Sequence, residues 1–256
     1  GVRNAILGGL AGDALTTGNY NVALGYTALG GEDAGSANTA IGYAALAVQD
    51  AGDAYNTAVG FEAGKSVTTG VQNTIMGGLA GDALTTGEQN TAIGYAALSG
   101  ETAGDRSVAI GTYALFAQNN TSNVDVYNIA IGYQAGTNVT TGSQNTIIGG
   151  LAGDALTSGA NNVAVGYLAL STEDTNGHNV AIGRKSLQNL DAGVDAYNTA
   201  VGSSAGESMT TGIQNVMLGG LAGDALTSGS NNIIIGYNAA ASAVDVSNEV
   251  TIGNSS

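Results

Sequence analysis

A short motif that ends in glycine recurs along the whole chain and constrains its fold more than any other feature. The motif reads Asn-x-(Ala/Ile)-(Ile/Leu/Val)-Gly in most copies, and eleven of the fourteen intervals between its glycines are 17 residues long. A fixed short period is typical of proteins in which each repeat contacts only its neighbours. The sequence therefore predicts a parallel β-roll or β-solenoid of about fifteen 17-residue coils. The motif glycines are Gly8, Gly25, Gly42, Gly60, Gly77, Gly94, Gly111, Gly132, Gly149, Gly166, Gly183, Gly202, Gly219, Gly236 and Gly253.

A second, longer period lies over the first. The segment Gly-Gly-Leu-Ala-Gly-Asp-Ala-Leu-Thr-(Thr/Ser)-Gly occurs four times, so four coils form one larger unit, and these units begin near residues 4, 73, 145 and 215. The three longer intervals, of 18, 21 and 19 residues, always fall in the third coil of a unit. We therefore predict a single repeat domain over residues 1–256. Because the chain opens at Gly1 without an initiator methionine, we expect it to be part of a longer protein whose flanking regions are absent here.

Composition excludes several classes of protein. The chain has 42 Gly but no Pro, which argues against collagen, and its 43% apolar content argues against disorder. The absence of Cys removes disulfides and thiolate metal sites. A net charge of −15 opposes binding to nucleic acid, and no apolar run reaches the roughly 20 residues of a membrane span. We expect no cofactor, no nucleic-acid partner and no membrane insertion.

The residues before each motif glycine suggest how a coil packs. We expect two short strands and two turns per coil, and because three apolar or Thr residues precede each glycine, both faces of the first strand should be buried. Isoleucines such as Ile93 would fill the interior of the coil, in a column with Ile41, Ile110, Ile131 and Ile182. The other face, mostly Ala, would then meet a neighbouring chain. The predicted interface residues are Ala40, Tyr43, Ala92, Tyr95, Ala164 and Tyr167.

Residue size also alternates between two nearby positions. Where the residue two before the glycine is Ile or Met, as at Ile75, the residue after the glycine is Gly, as at Gly78; where the first is Ala, the second is usually aromatic. We interpret this as packing at an interface, although Ile234 and Tyr237 break the relation. The recurring Asn before each strand predicts side-chain hydrogen bonds to turn backbone, in a stacked ladder.

These repeats resemble two families of fibrous surface proteins. The string from Asn90 to Leu98 is similar to the head repeats of trimeric autotransporter adhesins, which form a left-handed parallel β-roll in a tight trimer. The 17-residue form, with the turn Thr85-Thr86-Gly87, more closely resembles bacteriophage tail-fibre repeats of the kind that precede an endosialidase-type chaperone domain. The segment 248–256 is similar to the junction before that domain. The resemblance implies a homotrimer on a virion surface, or otherwise an extracellular or cell-surface location.

The sequence offers little for catalysis. His178 is the single histidine and lies in a polar turn with no nucleophile or metal-spaced partner, so we expect a solvated side chain. The acidic pairs at Glu32 and Glu173, with Glu101 at the equivalent position between them, recur from coil to coil, which indicates surface decoration rather than a glycosidase pair. We predict no enzyme activity and no catalytic residue. Weak calcium candidates recur in every fourth coil, where turn capping is the simpler interpretation: Asp13, Asp82, Asp154 and Asp224.

Sequence varies most in the third coil of each unit, and binding sites on repeat scaffolds are generally placed on such loops. We predict a structural fibre or spike segment of a phage virion whose third-coil loops contact a cell-surface glycan or protein. Two alternatives stay open: the head domain of a bacterial adhesin, and a self-assembling extracellular filament protein. The predicted contact residues are Tyr55, Asn119, Asn120, Asn123, Asp125, Tyr127 and Tyr197.

Overall fold

The computed structural model describes residues 1–253 and contains only strands, turns and bends in that range. No helix there is long or apolar enough to cross a membrane. Each coil contributes one three-residue strand, so the predicted all-β solenoid with coils of about 17 residues is confirmed. The chain divides into two compact units, Gly1–Tyr127 and Asn128–Ser256. The prediction of a single domain stays a prediction, and residues 254–256 of the predicted junction lie outside the described residues.

Within each unit the strands pair in parallel and follow one another in chain order. The register keeps equivalent residues side by side, so that Ala23 pairs with Ala40, and Ala92 with Ala109. The strands of the first unit are β1 (Ala5–Leu7), β2 (Val22–Leu24), β3 (Thr39–Ile41), β4 (Thr57–Val59), β5 (Thr74–Met76), β6 (Thr91–Ile93) and β7 (Val108–Ile110). Those of the second unit are β8 (Ile129–Ile131), β9 (Thr146–Ile148), β10 (Val163–Val165), β11 (Val180–Ile182), β12 (Thr199–Val201), β13 (Val216–Leu218), β14 (Ile233–Ile235) and β15 (Val250–Ile252).

The second strand predicted in each coil is absent from the described residues, which is a correction. The chain after the motif glycine still bonds from coil to coil, as in Leu29 N–H to Ala45 O at 3.0 Å. However, Thr27 and Leu29 both have φ near 53°. Left-handed residues at alternate positions prevent the extended pleat of a strand, so this part of the coil is a series of turns.

The motif glycines form tight corners that only glycine can occupy. Gly42 has φ of 136°, and a Cβ built on it would lie 2.2 Å from the carbonyl oxygen of Gly60 in the next coil. Both the dihedral angle and the close approach of two backbones exclude a side chain. This explains why the motif ends in glycine in every coil.

The strand faces the opposite way from our prediction. The central residue of each strand points into the coil, so Ala40, Ala92 and Ala164 are buried in the interior and are wrong as interface residues. Their flanking neighbours, including Ile41 and Ile93, point outward and are partly exposed. An alanine suits the interior because a 17-residue coil is narrow, and larger side chains at the corners fill the remaining space.

In most coils a small central strand residue is combined with a large residue six positions later, and a large one with a small residue. Ala92 is combined with Leu98, whereas Ile75 is combined with Gly81, and a Cβ on Gly81 would lie 3.5 Å from Ile75 Cδ1. Ile234 is likewise followed by Ala240 instead of leucine. The pairing fails in the fourth coil of three four-coil units, where Ala58, Ala130 and Ala200 are followed by Gly64, Gly136 and Gly206. It concerns a different position from the residue after the motif glycine, so it does not explain the size relation in the sequence.

A ladder of buried asparagines connects the coils, as predicted. The N–H of Asn90 donates to Oδ1 of Asn73 at 2.9 Å, and its own Nδ2 donates to the carbonyl oxygen of Gly104 at 2.9 Å. The second unit repeats the pattern at Asn145 and Asn162. Most of these asparagines thereby satisfy backbone groups of neighbouring coils, which keeps buried polar atoms paired. Asn38 is an exception, because its buried Nδ2 has no hydrogen-bond partner.

Candidate functional surfaces

The outward side of the sheet carries partly exposed apolar side chains in each unit. We define the strand face as the first and third residues of each strand. No strand contains a charged residue, although the chain has 25 of them. Leu24, Met76 and Ile182 on this face are 37–42% exposed. Exposed apolar residues in one contiguous stripe mark an interaction surface, because isolated soluble proteins rarely leave such stripes uncovered.

An aromatic column runs beside the strand face. We define it as the residues that directly follow the motif glycines. The rings of Tyr26, Tyr43 and Phe61 stack with centroids 5.7 and 5.1 Å apart and interplanar angles of 15° and 10°. Because stacked rings cover one another's faces, mainly their edges and hydroxyl groups are open to a partner. The predicted interface residues Tyr43, Tyr95 and Tyr167 belong to this column and are about half exposed, so their interface role stays a prediction.

The third-coil loops present three exposed tyrosines in different settings. Tyr127 donates its hydroxyl hydrogen to Asp125 at 3.1 Å, while Arg106 forms an ion pair with Asp125 and lies over the Tyr127 ring at 5.8 Å. These contacts fix the Tyr127 ring. Tyr55 is 59% exposed. The equivalent position in the preceding coil is Ala37, which offers no ring for Tyr55 to stack on.

His178 stacks on the third loop tyrosine, Tyr197, with ring centroids 4.7 Å apart and an interplanar angle of 12°. Its Nε2 lies 4.0 Å from Oδ2 of Asp195, which also accepts a hydrogen bond from the Gly177 N–H through Oδ1. The histidine predicted to be simply solvated therefore supports a tyrosine. A stacked ring leaves one face of Tyr197 for contacts with other molecules.

The predicted asparagines of the longest loop are mostly engaged within the chain. Asn120 donates two hydrogen bonds to the Glu101 carboxylate, and Asn123 exchanges hydrogen bonds with Thr86. Asn119 is exposed and accepts a hydrogen bond from Thr102 Oγ1 at 3.1 Å. Asn120 and Asn123 thus hold the loop in place, although Asn123 is exposed, as are Asn119 and Tyr127.

Glu32, Glu101 and Glu173 are fully buried, so their interpretation as surface decoration is wrong. Oε1 of Glu101 accepts hydrogen bonds from the backbone N–H groups of Thr102 and Gly104 at 2.9 and 2.8 Å. A buried carboxylate is stable only with such donors. The position nine residues after the strand centre carries Leu84 in one coil and Glu101 in the next. This exchange of leucine for glutamate at one position was the sequence signal for burial.

Glu173 differs from Glu32 and Glu101 because leucine replaces the glutamine that donates to their carboxylates. Desolvation raises the pKa of its carboxyl, although Asn176 and the Ala192 N–H donate hydrogen bonds that oppose the shift. In the coil that follows, Leu190 occupies the position of Gln49 and Gln118. Those glutamines donate to Glu32 and Glu101 at 3.0 and 2.8 Å, a bond that leucine cannot make.

The described residues contain two groups of acids whose oxygens lie within 4.8 Å of one another. They are Glu32, Asp33 and Asp50, and Glu173, Asp174 and Asp191. In the four-coil unit that begins near residue 73, Thr102 and Asn119 occupy the positions of the two aspartates. Three carboxylates provide few of the six to eight oxygens that calcium takes, and each glutamate is already bonded to backbone.

The weak calcium candidates predicted from the sequence belong to neither acidic group; they are Asp13, Asp82, Asp154 and Asp224. Asp82 accepts a hydrogen bond from Ser99 Oγ at 2.6 Å, and Asp13 is exposed. Burial raises the pKa of Asp154, whose Oδ1 has no hydrogen-bond partner, while the Asp224 carbonyl oxygen accepts a bond from the Ser208 N–H. Neither hydrogen bond joins a carboxylate to a turn N–H, so turn capping by these aspartates stays a prediction.

No protein-family model matches this chain, and no curated protein is significantly similar to it. The resemblance to phage fibre and adhesin repeats therefore stays a prediction. Function has to be inferred from the strand face, the aromatic column and the third-coil loops.

Proposed function

We propose that this chain is a structural, non-enzymatic segment of a surface fibre, in which parallel copies associate through their strand faces. The observation that carries the proposal is the uncharged strand face, which displays partly exposed aliphatic side chains in every coil. Removing apolar surface from water is the main driving force for association, at about 25 cal/mol per Å². Because the 20 acidic residues lie outside the strands, the strand face itself brings no charge into the contact.

A second copy of the chain is the partner that fits this face best. The side chains recur once per coil, at the strand spacing of roughly 4.8 Å. A partner that contacts each coil equivalently needs the same spacing, which another copy of the chain provides, and the resemblance to trimeric fibres implies that the copies are parallel. Three is the number of copies that the resemblance to trimeric fibres implies, and the homotrimer is part of the proposal.

We place the fibre on a phage virion, because the 17-residue repeat and its Thr-Thr-Gly turns resemble tail-fibre repeats more closely than adhesin heads. An adhesin head domain and a self-assembling extracellular filament protein are the alternatives. In each case the third-coil loops, with Tyr55, Tyr127 and Tyr197 exposed, are the proposed contacts to a cell-surface glycan or protein.

Sedimentation equilibrium and native mass spectrometry test the proposal. One chain has a mass of 24.9 kDa, so a homotrimer has a mass of about three times that value. A discrete trimer over a wide range of concentrations supports the fibre segment. A mass that grows without limit as concentration rises favours the filament alternative, and a folded monomer at all concentrations contradicts the proposed association.

A further inference from the structure

Every fourth position of the aromatic column is a glycine. Gly9 and Gly78 lie in the compact unit Gly1–Tyr127, and Gly150 and Gly220 lie in the compact unit Asn128–Ser256. Each of the four belongs to the first coil of a four-coil repeat. Backbone hydrogen bonds stack this column from coil to coil: the Ala96 N–H donates to Gly78 O at 3.0 Å. The glycines therefore interrupt a column that otherwise carries mostly rings.

The chain's own backbone does not require these glycines. None has a φ in the left-handed region. A Cβ on Gly78, Gly150 or Gly220 would meet the ring of the tyrosine in the next coil at 3.6, 3.7 and 3.5 Å, and a carbonyl oxygen of the preceding coil at 4.0, 4.0 and 3.8 Å. These are ordinary van der Waals distances. The preceding corner residue is different, because a Cβ on Gly77 would lie 2.5 Å from the Gly94 carbonyl oxygen. Within one chain, a side chain would fit at Gly78 but not at Gly77.

A ring at these positions would also gain contacts within the chain. Tyr43 occupies the corresponding place between Tyr26 and Phe61 and stacks on both. Gly78 instead leaves a notch between Phe61 and Tyr95, which are 54% and 48% exposed. Glycine adds backbone freedom to the unfolded chain and gives up ring stacking, so it destabilises the isolated chain relative to a side chain. Its recurrence then needs a reason outside the chain.

We propose that Gly9, Gly78, Gly150 and Gly220 are register notches, at which a neighbouring parallel copy of this chain approaches more closely than a side chain permits. The inference rests on the proposed self-association. A partner that approaches at every fourth coil must itself repeat every fourth coil, and another copy of this chain does so. A copy displaced by one coil would meet Tyr95 or Phe61 where it should meet Gly78, so the notches hold the copies in one axial register.

The test compares two double variants that add the same rings to the same column. Gly78→Tyr with Gly150→Tyr fills two notches, whereas Thr112→Tyr with Ser203→Tyr adds rings where the column already has side chains. We expect both to fold, with thermal unfolding of the single chain unchanged or raised. Sedimentation should show at least a tenfold weaker association for the glycine variant and wild-type association for the control.

A label distinguishes register from association. The chain has no cysteine, so a single Thr17→Cys on the exposed surface can carry a spin label. Wild-type copies in one register should give a narrow distance distribution by electron double resonance. Gly78→Ala with Gly150→Ala, a smaller filling of the notches, should broaden it or add distances.

The outcomes distinguish the proposed self-association from the proposed role of the glycines as register notches. A wild-type protein that stays monomeric removes the proposed association and this inference with it. If the wild type assembles and the notch-filling tyrosine variant assembles equally well, the inference alone is overturned. Failure of that variant to fold also overturns it, because the glycines would then serve the chain itself. Lost binding of a glycan or peptide with unchanged assembly would assign the notches to a different occupant, which likewise overturns the inference.

Discussion

The side-chain amide of Gln118 donates a hydrogen bond of 2.8 Å to the carboxylate of Glu101, and both side chains are fully buried. Gln49 makes the same bond to Glu32. A polar pair from two successive coils thus replaces the aliphatic residues found at this position elsewhere. Such an arrangement is stable only while the donors remain in place, because an unpaired buried charge is costly.

Replacement of Glu101 by glutamine tests this arrangement. The carboxylate accepts hydrogen bonds on both oxygens, and glutamine would present an amide donor to some of the same N–H groups. We expect Glu101→Gln to lower the free energy of unfolding by about 1–3 kcal/mol, the cost of leaving buried polar groups unsatisfied. Urea denaturation measures it. Asp53→Asn, at an exposed acid, is the control and should change stability by less than about 0.5 kcal/mol.

The raised pKa of Glu173 predicts a pH dependence of stability. Between its ordinary value of 4.5 and the raised value, the folded chain binds more protons than the unfolded chain, so stability falls as pH rises through this interval. Glu173→Gln removes this titration. We therefore expect the stability of the variant relative to wild type to improve as pH rises above the ordinary value of 4.5. A difference that is constant with pH would show that Glu173 does not titrate in this range.

Leu190 explains why Glu173 is less well compensated than Glu101. Leu190→Gln restores the amide that the other two third coils possess at this position. If that amide bonds to Glu173, the pKa of the carboxyl should fall and the pH dependence of unfolding should weaken. Guanidinium denaturation at several pH values measures the change. Leu190→Met, which keeps the volume but adds no donor, should leave the pH dependence as in wild type.

A pair of adjacent substitutions tests the facing of the strand. Ala92 is buried in the interior, so Ala92→Asp places an unpaired charge in the coil and should reduce the free energy of unfolding by more than about 3 kcal/mol. Ile93 points outward, so Ile93→Asp should affect the folded single chain much less and should instead weaken association. Denaturation and sedimentation of both variants decide. Equal destabilisation of the single chain would mean that both residues face the interior.

The third-coil loops carry the prediction about attachment. A triple variant with Tyr55→Ala, Tyr127→Ala and Tyr197→Ala removes rings suited to stacking on sugars. We expect at least a tenfold loss of binding on a glycan array or to intact cells, with the mass of the assembly unchanged. Tyr20→Ala is the matched control, because Tyr20 is equally exposed but lies outside these loops. Unchanged binding of the triple variant would assign attachment to another part of the fibre.

The sequence predicted the solenoid well because its strongest signals are local. The corner glycines and the asparagine ladder each follow from one position that repeats in nearly every coil, and stacking such coils leaves few alternatives. The facing of the strand was not predictable in the same way. In Thr91-Ala92-Ile93 all three side chains suit a buried strand, so the pattern lacks the alternation that assigns faces.

Two further features depend on information that a single sequence does not display. Thr27 and Leu29 have left-handed dihedral angles although neither residue type favours them, because coil-to-coil hydrogen bonds hold the backbone there. Glu101 is buried although glutamate is normally exposed, because the turn that follows directs several N–H groups at it. In both cases contacts between coils override the preference of the residue.

The asparagine ladder has a consequence for how such chains change in length. Asn73, Asn90 and their equivalents offer most coils the same attachment to the one before it, with Ser107 and Glu249 as the two replacements. Gain or loss of a whole coil therefore creates no junction of a new kind, and duplication of a four-coil block also preserves the order of interior residues. Evolution can therefore lengthen or shorten this array by whole coils without changing how the interior side chains pack.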